Sequence, residues 1–336
     1  MQYRVLGDSG LLVSALALGT MIFGERTDRS APPDVAQQII QRYLEAGGNH
    51  IDTANVYAGG RSEEIIGKAI KGHRSEIVLA TKVRFAVGEG PNDIGLSRYH
   101  ILSSVEGSLR RLDVDHIDLL YMHAWDPITP LEESLRAFDD LVAAGKVRYI
   151  GVSNFKAWQL MKALCVSDVN GWARFIAAQY QYSLVVRDIE REFLDLCEAE
   201  GVGITPWGPL GGGFLSGKYH KDQRPTGASA GRLATTPDDY EEAWGRRATE
   251  KNWKVLDIME QVAQAHDATV SQVALAWLLT RPAVASVIIG VRTMEQLEDN
   301  LHATELNLTE DEITRLNEVS ALPEGYPYRF INNAER

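Results

Sequence analysis

The sequence predicts an α/β fold, a closed (β/α)8 barrel forming a single domain over residues 1–336, and three observations point there. Short apolar runs rich in β-forming residues alternate with amphipathic helical stretches along the chain. There are eight such runs, and they are short and largely apolar, as strands buried on both faces should be. Short crossovers place successive strands side by side and parallel, which closes a sheet of eight into a barrel. A doubly wound open sheet is the rival architecture. It calls for Gly-x-Gly-x-x-Gly after the first strand, and the first parallel strand here leads into Gly19-Thr20-Met21-Ile22-Phe23-Gly24, which lacks that spacing.

The elements follow in order. The chain opens with a predicted hairpin, Tyr3–Leu6 and Leu11–Ser14 around Asp8-Ser9-Gly10, suited to closing the barrel's bottom. The eight strands are predicted at Ala15–Leu18, His50–Asp52, Ile77–Thr81, Asp118–Tyr121, Tyr149–Val152, Phe175–Ala178, Val202–Thr205 and Ser286–Ile289. Between them lie helical stripes. Ala36, Ile39, Ile40, Tyr43 and Leu44 share one face; so do Leu131, Leu135, Phe138, Leu141 and Val142, in a segment opened by Pro130 and ended near Gly145; Val255, Ile258, Met259 and Val262 form a third. After Thr205 about 80 residues precede the last strand, too many for an ordinary connection. Part of this, Gly208 to Gly245, is rich in Gly, Pro, Ser and Thr and reads as a long loop. On the C-terminal side of a barrel strand such a loop suits a cofactor or substrate cover better than a linker.

Composition narrows the function. With 45% hydrophobic and 24% charged positions among 336 residues, the chain is ordinary for a globular protein and long enough to fold without a disulfide or metal staple. Cys165 and Cys197 both lie in helical patterns and read as reduced, structural thiols. The N-terminal stretch lacks the apolar core of a signal peptide, and no window of roughly 18 apolar residues occurs. A cytoplasmic location, with no membrane partner, is the expectation. A net charge of −12 repels phosphate backbones and argues against nucleic acid as a partner. A small phosphorylated ligand needs only a few local cations. Self-association is left open.

In a barrel the reactive groups sit at the C-terminal ends of the strands. Those ends carry Asp52, with Tyr57 five residues on, then Lys82, then His123. Each alone could simply cap a helix or satisfy a loop. Together, at three adjacent strand ends, they suit one reaction. A phenol, with a pKa near 10, is a poor acid at neutral pH, and a nearby ammonium stabilises its anion. A carboxylate would hold the lysine, and an imidazole can orient a carbonyl oxygen that gains negative charge. This apparatus protonates an oxyanion while hydride reaches carbon, so a nicotinamide or flavin is implied, since no side chain supplies hydride.

Further segments extend the pattern. They are Ala17-Leu18-Gly19-Thr20-Met21, His50-Ile51-Asp52-Thr53-Ala54-Asn55-Val56-Tyr57, Gly59-Gly60-Arg61-Ser62-Glu63 and Ala80-Thr81-Lys82. Beyond them come Asp118-Leu119-Leu120-Tyr121-Met122-His123, Gly145-Lys146-Val147-Arg148-Tyr149-Ile150-Gly151-Val152-Ser153-Asn154, Pro209-Leu210-Gly211-Gly212-Gly213 and Ile289-Gly290-Val291-Arg292-Thr293. With these, in this order, the chain resembles the aldo-keto reductase family from about residue 3 to 320. The resemblance implies a TIM barrel that binds NADPH, less often NADH, and reduces an aldehyde or ketone reversibly. Asp52, Tyr57, Lys82 and His123 would be its catalytic tetrad, with Tyr57 as general acid and Lys82 lowering its pKa.

It further implies a cofactor site. Gly19, Thr20, Met21 and Asp52 would line it; Ser153, Asn154 and Gln179 would hold the carboxamide of the nicotinamide. Trp207 stands where the family usually has a tyrosine and would stack on the ring; Gly208 replaces a frequent serine. Pro209, Leu210, Gly211 and Gly213 would follow the pyrophosphate, with help from Lys218. Ile289, Gly290, Arg292, Thr293 and Gln296 would surround a 2′-phosphate, and Asp299 and Asn300 would contact adenine. Arg292, a planar phosphate donor, favours NADPH over NADH.

For the substrate pocket, Phe23, Phe85, Trp125 and the tail segment Tyr326-Pro327-Tyr328 are the candidate walls beside Tyr57 and His123. His50, two residues before Asp52, would point the same way as a buried spacer. Two rivals to an enzyme of this kind remain. One is a nucleotide-binding regulatory subunit with slow turnover, since some family members associate with membrane channels. The other is a metal-dependent barrel hydrolase, which needs clustered ligands such as His-x-His; none of the 8 histidines is so placed, and no metal is expected.

Overall fold

Ten strands and thirteen helices are found in the computed structural model, which describes residues 1–25, 27, 30–221, 223–227 and 231–334. A hairpin of β1 (Tyr3–Val5) and β2 (Leu12–Ser14) precedes eight strands in one parallel sheet. These are β3 (Leu16–Gly19), β4 (His50–Asp52), β5 (Val78–Val83), β6 (Ile117–Met122), β7 (Val147–Ser153), β8 (Phe175–Gln179), β9 (Gly203–Ile204) and β10 (Val287–Gly290), with β10 returning beside β3. Ile204 links the last edge. Its N–H donates to the Ala283 carbonyl at 2.7 Å and its own carbonyl accepts from the Ala285 N–H at 2.9 Å. The Ile288 N–H bonds to the Pro206 carbonyl at 2.9 Å, so the sheet curls round into the expected (β/α)8 barrel. All eight predicted strands are present, with no end moved by more than two residues.

The helices are α1 (Pro33–Glu45), α2 (Arg61–Ala69), α3 (Arg98–Leu112), α4 (Leu131–Ala143), α5 (Ala157–Asn170), α6 (Phe193–Ala199), α7 (Arg232–Thr235), α8 (Trp244–Arg247), α9 (Glu250–Ala265), α10 (Val270–Leu279), α11 (Met294–His302), α12 (Glu310–Ser320) and α13 (Tyr328–Asn332). The three predicted stripes fall on α1, α4 and α9. Pro130 is the N-cap of α4, and Gly145 follows its end at φ 72°, a conformation that favours glycine. Thr269 and Thr309 cap α10 and α12, each in a reciprocal box with the glutamine or glutamate three residues on.

The larger core lies between sheet and helices, and a smaller one fills the barrel. Leu6 and Val13 of the hairpin region join Val78, Ala80, Leu119, Tyr121, Ala177 and Ala285 in that inner core, so the hairpin closes the bottom as predicted. Each fully buried aliphatic side chain here contributes about 1.5–3 kcal/mol, and the plug also keeps water from the floor beneath the strand ends. The long loop after β9 contains a turn of 3-10 helix at Gly211–Ser216 and the short helices α7 and α8; its residues 222 and 228–230 lie outside the described residues. Cys165 is exposed on α5, Cys197 is buried on α6, and both are free thiols.

Candidate active site

Strand register sets the site. Asp52 is paired with Ala80, and Lys82 lies two residues further along β5, so both project from the inward face at the same end. Lys82 is almost fully buried. Its Nζ donates to Asp52 Oδ1 at 2.6 Å, to the Thr53 carbonyl at 2.8 Å and to Tyr57 Oη at 3.3 Å. Tyr57 reaches that position from a tight turn, Tyr57–Gly60, in which Ala58, Gly59 and Gly60 all take positive φ before α2 begins. His123 follows β6, with its ring centroid 5.9 Å from that of Tyr57, edge to face. The structure brings Asp52, Tyr57, Lys82 and His123 together, with Asp52–Lys82 as a buried ion pair.

Electrostatics assign each group a state. Burial pushes the Tyr57 phenol above its ordinary pKa, and Lys82 pulls it back only in part. Lys82 thus lowers the phenol's pKa as expected, but removal from water outweighs the ammonium and leaves the net shift upward. Burial works against the Lys82 ammonium, but Asp52 and Tyr57 overcome it and hold its pKa above the usual lysine value. His123 is driven well below the usual histidine range by burial and by Lys82 and Arg84, so it is neutral near pH 7. Its Nδ1 is buried without a hydrogen-bond partner among the described residues. The result is a protonated phenol and a neutral imidazole facing one space, with the Lys82 ammonium behind the phenol.

That space is a cavity of about 640 Å³. Every predicted cofactor position except Gly211 and Thr293 lines it. Gly211 instead faces Val185, where a Cβ would come within 2.7 Å of Val185 Cγ2. Thr293 caps α11, accepting from the Gln296 N–H at 3.3 Å, while the Gln296 side chain accepts from the Arg292 N–H at 2.9 Å. Ser153 Oγ donates to the Gln179 carbonyl at 2.7 Å, and Asn154 Nδ2 to the His123 carbonyl at 2.9 Å, which ties the end of β7 to its neighbours. Asp299 accepts from Thr269 and from the Gln272 side chain, so its carboxylate is engaged with the start of α10.

The candidate substrate walls divide. Phe85 lines the cavity and packs edge to face on His123 at 4.7 Å. Phe23 does not: it is fully buried in the outer core, and its neighbour Ile22 lines the space in its place. Trp125 packs against Phe155 at 5.0 Å and Trp158 at 6.1 Å, outside the lining. In the tail, Tyr326 is 82% exposed and Tyr328 bonds to Glu192 at 2.7 Å, beside Arg191 rather than at the mouth. His50 is buried as expected, with Nδ1 2.9 Å from Ser286 Oγ.

Sequence reading missed Arg232 and Glu242, which line the cavity from the long loop and pair at 2.5 Å. No period or motif marks them; only the Gly231-Arg232 step within the loop hints at a cation aimed inward. Glu242 is nearly buried, with Oε1 3.5 Å from where a Cβ would lie on Gly208 or Gly212. Nearby, Lys218 is held below the usual lysine pKa by burial and by the like charge of Arg292. Lys218, beside Gly213, lines the cavity together with Arg232, Arg292 and the positive-φ glycines 212 and 213, a lining suited to an elongated anion. The donors fit a dinucleotide. Among the described residues no cluster of three or more metal-ligating side chains occurs.

Comparison with known proteins agrees with this geometry. The model of the aldo/keto reductase family matches residues 15–321. The chain belongs to that family. It is 40% identical to an uncharacterized oxidoreductase, YrpG, of Bacillus subtilis, over 97% of this chain and 98% of that one. It is 38% identical to a probable voltage-gated potassium channel subunit beta of Arabidopsis thaliana, over 91% and 92%. With norsolorinic acid reductase stcV of Emericella nidulans the identity is 36%, over 98% and 84%. Family and relatives support an oxidoreductase, and aldo-keto reductases generally use NAD(P)H. No helix among the described residues is long and apolar enough to cross a membrane.

Proposed function

We propose that this aldo-keto reductase catalyses the reversible, NADPH-dependent reduction of an aldehyde or ketone to an alcohol. The observation that carries the reading is the buried Asp52–Lys82 pair placed 3.3 Å from the Tyr57 hydroxyl, at the edge of a cavity with a glycine and cation cradle. Ser153, Asn154 and Gln179 would hold the nicotinamide end, and Trp207 would stack on it. Gly208, Pro209, Leu210, Gly213 and Lys218 would follow the pyrophosphate, with Arg292 and Gln296 at the 2′-phosphate. When bound, the nicotinamide supplies the hydride.

The side chains then divide the remaining work. Neutral His123 donates a hydrogen bond to the carbonyl oxygen and orients it. Tyr57, protonated at neutral pH, gives its proton to that oxygen as negative charge develops there. Lys82 stabilises the phenolate left behind, which matters more at that moment than in the resting state, because burial makes an isolated phenolate costly. Asp52 keeps Lys82 charged and in place. In alcohol oxidation the same groups act in reverse, with Tyr57 as base. Phe85 and Ile22 make the wall beyond His123 apolar, which suits a carbonyl compound with a hydrophobic body.

A second reading, a nucleotide-binding regulatory subunit with slow turnover, draws on the similarity to proteins named as potassium channel beta subunits. Fluorescence titration with NADPH and NADH, followed by turnover with a panel of carbonyl compounds, tests the proposal. Tight NADPH binding and turnover of at least one carbonyl class are expected. Tight binding of neither nucleotide would sink the reading, and binding with turnover at the background rate would favour the regulatory subunit.

A further inference from the structure

The segment Gly59-Gly60-Arg61-Ser62-Glu63 has no part in the reaction outlined above. It joins the turn that carries Tyr57 to the first turn of α2, and three consecutive side chains in it bind three different parts of the barrel. Arg61 Nε donates to the Gly24 carbonyl at 2.8 Å, beyond β3. Ser62 Oγ lies 2.9 Å from the Thr20 carbonyl and 3.0 Å from Thr53 Oγ1, at the ends of β3 and β4. Glu63 takes the third direction. Its Oε1 accepts from Thr81 Oγ1 and its Oε2 from Arg111 Nε of α3, both at 2.7 Å. Ser62, Glu63 and Thr81 are fully buried.

Thr81 immediately precedes Lys82 on β5, and successive strand residues face opposite ways, so Lys82 points into the barrel while Thr81 points out toward α2. One carboxylate thus grips the strand next to the ammonium and the helix next to the phenol. Arg111 holds its other side. The arginine stem crosses Gly60, where a Cβ would come within 2.7 Å of Arg111 Cδ, and Gly107, where one would come within 3.0 Å of Nη1. The turn between Tyr57 and Glu63 does not supply this alignment by itself. Ala58, Gly59 and Gly60 run at φ 51°, 64° and 93°, a left-handed path that alanine seldom takes unless its surroundings impose it. Packing alone does not call for a carboxylate at 63, because an apolar side chain of similar volume avoids the cost of desolvating charge. What the carboxylate adds is direction, with two bonds that fix α2 against β5 and α3.

We infer that Glu63 is a positioning residue, which braces the Tyr57 turn against β5 through Thr81 and against α3 through Arg111, and so sets the 3.3 Å separation between Tyr57 Oη and Lys82 Nζ. The inference rests on the proposed roles of Tyr57 and Lys82. Glu63 lies outside the lining of the cavity and acts through the backbone of the turn and of the strand. With the brace released, the phenol drifts from the ammonium that stabilises its anion. The nucleotide-facing residues of β7, β8, β10 and the long loop stay in place.

Glu63→Met, Glu63→Gln, Thr81→Val and Thr81→Ser test this, with Thr309→Ala, which removes the cap of α12, as a control for stability alone. Each is measured for melting temperature, NADPH affinity by fluorescence, and kcat and KM across pH. For Glu63→Met the expected result is a kcat about tenfold lower, with NADPH affinity within about twofold and KM within about threefold of the parent. The alkaline limb of kcat in carbonyl reduction should move to higher pH. Tyr57 then loses part of the pull of Lys82 on its proton, while Asp52, Arg232 and the neutral His123 ring, which also face it, stay as they are. Thr81→Val, which removes one arm, should move both quantities in the same direction by less. Thr81→Ser keeps the hydroxyl, and Glu63→Gln can turn its oxygen to Arg111 and its NH2 to the Thr81 oxygen, so both should restore them. A lower melting temperature with unmoved kcat and pH profile in both Glu63→Met and Thr81→Val would overturn the inference and leave the brace a packing feature. An equal fall of kcat in Thr309→Ala would overturn it too. If Glu63→Met does not fold, the contrast between Thr81→Val and Thr81→Ser decides. Tyr57→Phe run alongside separates the two levels: intact turnover there removes the catalytic reading and this inference with it, whereas lost turnover there with unmoved positioning variants overturns the positioning role alone.

Discussion

Lowering the pH should destabilise this protein in a way traceable to one buried imidazole. His50 is fully buried on β4, and burial pushes its pKa down to about 4 from an ordinary 6.5, with Asp52 and Asp118 pulling upward and Lys82 downward. The sign follows from where the proton is free to bind. Above pH 6.5 His50 is neutral in both folded and unfolded chains and contributes nothing to the pH dependence. Between 6.5 and about 4 the unfolded chain takes up a proton that the folded one refuses, so stability falls as pH falls. Each pH unit in that window costs about 1.4 kcal/mol, or about 3 kcal/mol in all. Urea unfolding of the parent and of His50→Phe, at pH 7 and at pH 4.5, isolates this share. His100, His116 and His123 are also depressed and cancel in the comparison. The parent should lose about 2–3 kcal/mol more than the variant over that interval. Equal losses would refute the placement of His50 as a neutral group inside the barrel.

Three further outcomes follow from the site. Lys82→Met should abolish turnover and cost about 3–5 kcal/mol in urea unfolding, because it strands a buried carboxylate; adding Asp52→Asn should recover most of the stability and none of the activity. Glu242→Gln should tighten NADPH binding about threefold to tenfold in a fluorescence titration, since it removes a buried negative charge from the cavity and releases Arg232. Weaker binding in that variant would count against the cradle as an anion site. Arg292→Ala should weaken NADPH about tenfold or more and leave NADH within about twofold, as loss of a charge-assisted phosphate contact requires; equal losses for both nucleotides would place Arg292 away from the 2′-phosphate.

How much of this was legible from the residues alone depends on what marks a position. The eight strands were readable because strands buried on both faces must be largely apolar, and helices betray themselves by one apolar stripe. Asp52, Tyr57, Lys82 and His123 were readable because polar residues at the ends of apolar runs stand out. Phe23 was misplaced because an apolar residue after a strand suits core and pocket equally, and one residue decides which way it faces; Ile22 took the pocket side. Trp125 found Phe155 and Trp158, partners that no spacing reveals. Arg232 and Glu242 lie in a loop without period, where contacts depend on the path of the chain. The raised pKa of Tyr57 was hidden for a different reason: the pull of Lys82 is implied by residue types, whereas the stronger push of burial is known only once the fold is. The hydrogen bond from the Gln179 side chain to Asp52 crosses 127 positions and belongs to the same class of facts.

The central claim is that Tyr57 delivers the proton while cofactor binding depends on other residues. Turnover and NADPH affinity of Tyr57→Phe, measured on the same preparation against the best carbonyl compound from the panel, test it most directly. The account predicts that kcat falls by about a thousandfold or more while the NADPH dissociation constant stays within about twofold. Turnover near that of the parent, with NADPH bound as tightly, would contradict it.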